Sequence, residues 1–325
     1  MRKNGAVAAS EIGGAGPAVD YDEFGLFREN AEEAGVVWRG QPDVRRVKVP
    51  VAQDRALSAL VWGSSDPEIV LLHGGAQNAH TWDTVALALD RPLVAIDLPG
   101  HGHSDWRADH AYWPAENAAD LAVAIRALAP NAALVVGMSL GGLSALALSQ
   151  VGPELVRKLL LVDVTPGVNE AKAAPIINFI AGPESFSSFE ELLERAIMFN
   201  PTRLVSSLRR GVLHNARPMP DGQWTWRYDR FHPLQGDGPP PTEAGEFRAP
   251  DFQSLWEDLS GLRVPFMLVR GGESGVVGDE DIAEVRRRVP NARIEVVDGA
   301  GHSIQGDRPV ELAAILEEFL ASHAS

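Results

Sequence analysis

Short, solidly apolar runs recur along the chain, and each leads into a segment of helical composition. Ile69-Val70-Leu71-Leu72, Leu93-Val94-Ala95-Ile96, Leu134-Val135-Val136 and Leu159-Leu160-Leu161-Val162 are of strand length and apolar on both faces. Such runs suit strands covered on each side, the condition of a parallel sheet. The segments between them, such as Ala115 to Ala129 and Leu140 to Val151, are rich in Ala and Leu and long enough for right-handed crossovers. Ahead of these runs, Val47-Lys48-Val49 and Leu57-Ser58-Ala59-Leu60-Val61 alternate with period two around Gln53-Asp54, which predicts an antiparallel pair. The pattern resumes late with Phe266-Met267-Leu268-Val269 and Ile294-Glu295-Val296-Val297, and closes on an amphipathic helix from Pro309 to Ser322. The expected class is α/β, a mostly parallel sheet flanked by helices and interrupted once.

The interruption, residues 165–250, has a different texture. Ser188-Phe189-Glu190-Glu191 has the form of a capping box before an apolar helix, and Pro201 is suited to start another that runs towards Arg210. Met219 to Pro250 is crowded with Pro and Gly and carries Trp224, Trp226, Tyr228 and Phe231. Helices and aromatics inserted between two sheet strands predict a mainly helical lid; the plainer alternative is a decoration packed on the sheet domain. Residues 1–37, Gly- and Ala-rich with one aromatic knot from Tyr21 to Phe27, read as a tail with one packed turn. The core is then expected in residues 38–164 and 251–325.

Composition narrows the chemistry. Across 325 residues, 29 Lys and Arg stand against 44 Asp and Glu, a formal net charge of −15 with 45% hydrophobic and 22% charged residues. This is ordinary globular composition with an acidic surface, and it argues against nucleic-acid or anionic-membrane partners. The chain has no cysteine, so disulfides, Cys-ligated zinc, iron–sulfur clusters and a thiol nucleophile are excluded. No run approaches the roughly 18 apolar residues of a spanning helix, and Ala6-Val7-Ala8-Ala9 is too brief for a signal-peptide core. The expectation is a cytoplasmic protein.

The sharpest motif is Gly137-Met138-Ser139-Leu140-Gly141, placed directly after an apolar run and directly before a helical segment. A strand turning that sharply into a helix holds Ser139 in a strained conformation, and side chains at 137 and 141 would collide. The turn raises the hydroxyl above the carboxyl edge of the sheet and aims the Leu140 N–H toward developing negative charge. A serine hydroxyl needs a base. Among nine histidines, His302 follows the last expected strand at the same edge. His101 and His103 are spaced like metal ligands, but no carboxylate-rich set accompanies them, so turn-stabilising hydrogen bonds are the better reading and no metal site is expected.

Together, His73-Gly74-Gly75, Asp97-Leu98-Pro99-Gly100-His101-Gly102, Gly137-x-Ser139-x-Gly141 and Gly301-His302 resemble the α/β-hydrolase superfamily from about Val47 to the end. The resemblance specifies fold more sharply than substrate. It implies an α/β-hydrolase fold with a second oxyanion donor at Gly75, or Ala76, and a bracing role for His73. It also exposes a departure. The usual acid follows the strand at Phe266 to Val269, yet there the chain reads Arg270-Gly271-Gly272-Glu273-Ser274-Gly275, with Ser274 at the carboxylate position. Asp163, ending the preceding strand, is the first substitute, since some α/β-hydrolases place the acid there; Glu273 is the second. The plainer reading of Asp163 is a cap on the Thr165-Pro166 turn. Asp279 and Asp281 are explained as helix caps.

Epoxide hydrolases and haloalkane dehalogenases of this fold carry Asp where Ser139 stands, so Ser139 points to acyl transfer. The expected activity is cofactor-free hydrolysis of a small or medium carboxylic ester, thioester or lactone through an acyl-enzyme. Ser139, His302 and Asp163 are the expected triad and Gly75 and Leu140 the oxyanion donors, while Ile176, Ile177, Phe179, Phe199 and Trp224 would hold the apolar part of a small-molecule substrate. The alternatives are carbon–carbon bond hydrolysis of a diketone or dienoic metabolite, and a ligand receptor with vestigial hydrolase residues. The sequence leaves oligomeric state open.

Overall fold

The computed structural model describes residues 21–168, 170–180, 182–200, 203–230 and 252–322. The first twenty residues, Pro201, Phe231 and the rest of the Pro- and Gly-rich stretch to Pro250 lie outside the described residues. The apolar runs become an eight-stranded sheet: β1 (Val44–Pro50), β2 (Ala56–Trp62), β3 (Ile69–Leu72), β4 (Leu93–Ile96), β5 (Leu134–Met138), β6 (Leu159–Val162), β9 (Phe266–Gly271) and β10 (Arg293–Val297). Their spatial order is β1-β2-β4-β3-β5-β6-β9-β10. β1 pairs antiparallel with β2 and β2 antiparallel with β4, and every later pairing is parallel. β3, β4, β5 and β6 are buried at every position, which is why they read as unbroken apolar runs rather than alternations.

Helices cover both faces. α3 (Pro114–Leu128), α4 (Leu140–Val151) and α8 (Phe252–Ser260) enclose one core layer. On the other face lie α1 (Phe27–Ala34), α2 (Asp83–Leu89) and α11 (Pro309–Ala321), around Trp82 and Phe319. Residues 21–37, expected as a tail with one turn, carry the two-turn α1, whose Phe27 is fully buried with its ring 4.9 Å from that of Trp62.

Between β6 and β9 the chain leaves the sheet. It forms α5 (Glu170–Ile180), α6 (Phe189–Phe199), α7 (Val205–Asn215) and a small hairpin of β7 (Ala216–Pro218) and β8 (Trp224–Trp226). The hairpin and helices share their own core around Phe186, Phe189, Leu192, Trp226 and Tyr228. Ser188 caps α6 by accepting from the Glu191 N–H at 3.2 Å, but the Glu191 carboxylate reaches back to Ser187 rather than completing the box on Ser188. α7 begins at Val205, later than the start expected at Pro201. None of the described helices is long and apolar enough to cross a membrane.

His73 braces the loop after β3. Its Nε2 accepts from the Leu98 N–H at 2.9 Å, so the neutral ring carries its proton on Nδ1 and donates to the Gly74 carbonyl at 2.7 Å. Burial, with help from nearby His101, pulls the ring down to about 3. A neutral buried histidine favours the folded state above the ordinary value near 6.5, and that contribution is lost as pH falls below it because only the unfolded chain takes up the proton. Between pH 7.5 and pH 5, His73 is expected to remove about 2 kcal/mol of stability. Thermal melts should show this, and His73→Gln should flatten the dependence.

Candidate functional site

The carboxyl edge of the sheet collects Ser139, Asp163 and His302. Ser139 sits between β5 and α4 at φ 50°, ψ −121°, a region that non-glycine residues occupy only when their surroundings enforce it. A side chain at Gly137 would lie 2.4 Å from the Gly141 carbonyl oxygen, and one at Gly141 would lie 2.4 Å from that of His73. Only glycines let the strand, turn and helix pack this closely. Ser139 is half-buried, and its hydroxyl makes no hydrogen bond among the described residues. Serine–base contacts of this kind often tighten only once substrate is bound.

Asp163 directly follows β6, the strand beside β5, and also has positive φ, 51°. Two neighbouring parallel strands are therefore each followed by a non-glycine residue of positive φ, Ser139 after one and Asp163 after the other. The Asp163 side chain is fully buried. Its Oδ1 accepts the Gly271 N–H at 3.0 Å, and its Oδ2 accepts from His302 Nδ1 at 2.7 Å and from the Ser274 hydroxyl. A carboxylate only accepts, so the His302 proton lies on Nδ1 and Nε2 is left with a free lone pair. The side-chain hydrogen bonds of Asp163 go to Gly271, Ser274 and His302, not to the Thr165-Pro166 turn. Ser274, at the position where a carboxylate was expected, supports the carboxylate supplied by the neighbouring strand; its Oγ in turn accepts the Val276 N–H at 3.1 Å. Glu273 is exposed, its N–H donates to the Ala300 carbonyl at 2.9 Å, and its carboxylate has no hydrogen bond to His302.

Leu140 is the first residue of α4, so its N–H has no acceptor within the helix. The loop after β3 lies opposite. Ala76 in it has φ 59°, and Asn215 at the end of α7 holds the loop by donating to the Ala76 carbonyl at 2.7 Å. Gln77 accepts the Gly74 N–H at 3.1 Å, which leaves the next amide, that of Gly75, without a backbone or side-chain acceptor. Nothing in the local pattern signals the Asn215 contact, because it joins elements 139 residues apart in the chain.

A cavity of about 610 Å³ opens between this edge and the insertion. His302, Gly75, Ile176, Phe179 and Phe199 line it, so three of the five expected substrate contacts border the same space as His302. Ile177 and Trp224 are not among its lining residues. Trp224 instead stacks edge-on against Phe189 at 5.5 Å within the insertion's own core. Buried His101 bonds the Pro99 carbonyl at 2.9 Å through its ring Nδ1, and the backbone N–H of His103 donates to Asp97 at 3.0 Å.

Residues 69–315 match the model of the Alpha/beta hydrolase family. Over 307 residues the chain is 46% identical to an esterase of Mycobacterium tuberculosis, covering 92% of this chain and 96% of that protein. A crystal structure of that esterase superposes with a TM-score of 0.80 at 45% identity, covering 93% of this chain and 99% of the other. A 3-hydroxybutyrate-oligomer hydrolase of Cupriavidus necator is 27% identical over 271 residues, which span 79% of this chain and 90% of that one. The E-2-(acetamidomethylene)succinate hydrolase structure, at 23% identity and a TM-score of 0.74 over 86% of this chain and all of the other, shares the fold.

Proposed function

Because this chain belongs to the alpha/beta hydrolase family, we propose that it is a serine esterase in which Ser139, His302 and Asp163 form the catalytic triad. The observation that carries this reading is the 2.7 Å bond from His302 to a buried carboxylate on the strand beside the one that ends in Ser139. The substrate is a small or medium carboxylic ester, with thioesters and lactones open to the same chemistry.

His302 Nε2 takes the Ser139 proton as the oxygen attacks the ester carbonyl, and Asp163 stabilises the imidazolium that forms. The Leu140 and Gly75 amides face the tetrahedral oxyanion. Collapse expels the alcohol, which receives the proton from His302 and leaves an acyl-Ser139. Water, deprotonated by His302, then attacks the acyl carbon, and the acid departs as Ser139 recovers its proton. The insertion acts as the lid over this cavity, with Ile176, Phe179 and Phe199 against the apolar part of the substrate.

Hydrolysis of p-nitrophenyl esters from acetate to decanoate tests the reading. Turnover is expected for the short and medium members, with kcat/KM falling once the acyl chain outgrows the cavity. No turnover on any member would overturn it in favour of carbon–carbon bond hydrolysis or ligand binding. A vestigial receptor is favoured by the lack of a carboxylate at 274, and in the proposed triad Asp163 supplies one. Ser274 is expected to matter modestly. A hydrogen bond to a carboxylate contributes ~1.5 kcal/mol, so Ser274→Ala should lower kcat by about tenfold and leave KM little changed in steady-state assays.

A further inference from the structure

A second cluster of chemically capable side chains lies where the insertion meets the sheet domain, and the triad does not use it. His80 belongs to the 3-10 turn Ala79–Trp82, Asp83 opens α2, and His214 lies in the last turn of α7. All three are buried, and a ligating atom from each lies within 4.8 Å of the others. His80 Nδ1 stands 2.9 Å and His214 Nε2 3.7 Å from the same oxygen, Asp83 Oδ2. The two imidazoles stack at 3.7 Å with only 10° between their planes. A His80–Asp83 pair accounts for part of this arrangement but leaves two buried atoms, His214 Nε2 and Asp83 Oδ1, with no hydrogen-bond partner. Orphaned buried polar atoms are costly, and two in one cluster need an explanation.

The outer contacts point to one. His214 Nδ1 meets the Tyr21 hydroxyl at 2.9 Å, and His80 Nε2 meets the Glu23 carboxylate at 3.2 Å. In each ring the nitrogen away from the cluster meets an oxygen, and the tautomer that carries its proton on that nitrogen turns the lone pair of the other inward. This is how metal-binding histidines are oriented. The surrounding charges also fit. Glu23 and Asp97 pair with the Arg46 guanidinium at 2.5 and 2.7 Å, and the ion-pair contacts of Asp83 are to the two imidazoles. His80 and His214 both border the large cavity, which offers an entry path and room for an exchangeable fourth ligand.

We propose that His80, Asp83 and His214 bind a divalent transition-metal ion, joining α7 of the insertion to the segment that follows the Gly75 loop. Two imidazoles and one carboxylate suit Zn²⁺, Co²⁺ or Ni²⁺ rather than Mg²⁺ or Ca²⁺. The proposal is independent of the esterase reading.

Co²⁺ is the probe, because its visible absorption reports coordination without any assay of activity. Titrating the full chain with CoCl₂ is expected to load one ion per chain, produce ligand-field bands and raise the thermal midpoint by several degrees, as a ligand of the folded state does. His214→Gln and Asp83→Asn should each abolish the bands, while His302→Ala should retain them. No bands at millimolar Co²⁺, bands that survive both cluster variants, or bands lost with His302 would each overturn the proposal. Should the cluster variants fail to fold, the wild type still decides it. Paramagnetic broadening of the His80 and His214 ring resonances supports the site, and broadening of His302 instead rejects it.

Discussion

Replacing Ser139 by Ala is expected to lower kcat for ester hydrolysis by about 10⁴- to 10⁶-fold, with KM changing little. The large size follows from the strained turn at φ 50°, which holds the attacking hydroxyl above the sheet edge. Removing its oxygen leaves His302 with no nucleophile to activate, while the Leu140 and Gly75 amides still bind the carbonyl. Alanine adds no atoms to the turn, so the variant should fold. Steady-state p-nitrophenyl ester assays with matching circular dichroism measure both points. A variant that kept more than about a tenth of wild-type turnover would place the nucleophile elsewhere.

The second large effect discriminates between two carboxylates. Asp163→Asn should lower kcat by roughly 10⁴-fold. An amide keeps one acceptor oxygen where the carboxylate has two, and with that oxygen on the Gly271 N–H its NH2 faces His302 Nδ1, so the imidazole loses both its partner and its tautomer. Glu273→Gln should change kcat by about twofold at most, as substitutions at exposed positions usually do, since the exposed side chain has no bond to His302. Measuring the pair on one ester gives the answer. Comparable losses in both, or a loss confined to Glu273→Gln, would mean that Asp163 is structural.

Much of this architecture was legible before the fold was known, for definite reasons. Strands buried on both faces announce themselves as apolar runs, and the sharp turn at Ser139 requires glycines at 137 and 141 whose clashes are visible in the structure. Asp163 was legible as a carboxylate at a strand end, but its bond to His302 depends on β6 lying beside β9, a pairing that local pattern does not encode. The support from Ser274 was hidden for the same reason, spanning 111 residues of chain. α1 escaped because Gly- and Ala-rich flanks obscure its buried Phe27, and the inward choice among the insertion's aromatics was set by packing. Phe179 and Phe199 reach the cavity, whereas Trp224 closes on Phe189. The His80–Asp83–His214 cluster joins a sheet-domain turn to a helix over 130 residues later, and no spacing rule reaches that far.

In the proposed triad, drawing the acid from β6 also separates two duties that share the edge of the sheet. The carboxylate is anchored in a strand held on both sides by parallel neighbours, so its aim is set by the rigid middle of the molecule. The segment after β9 keeps only the supporting hydroxyl of Ser274, while Glu273, Gly275 and Val276 form part of the cavity wall. Those three positions are open to change without disturbing the reacting groups. Selection, or an engineer, can redraw the contour that meets the substrate there while the chemistry behind it stays fixed.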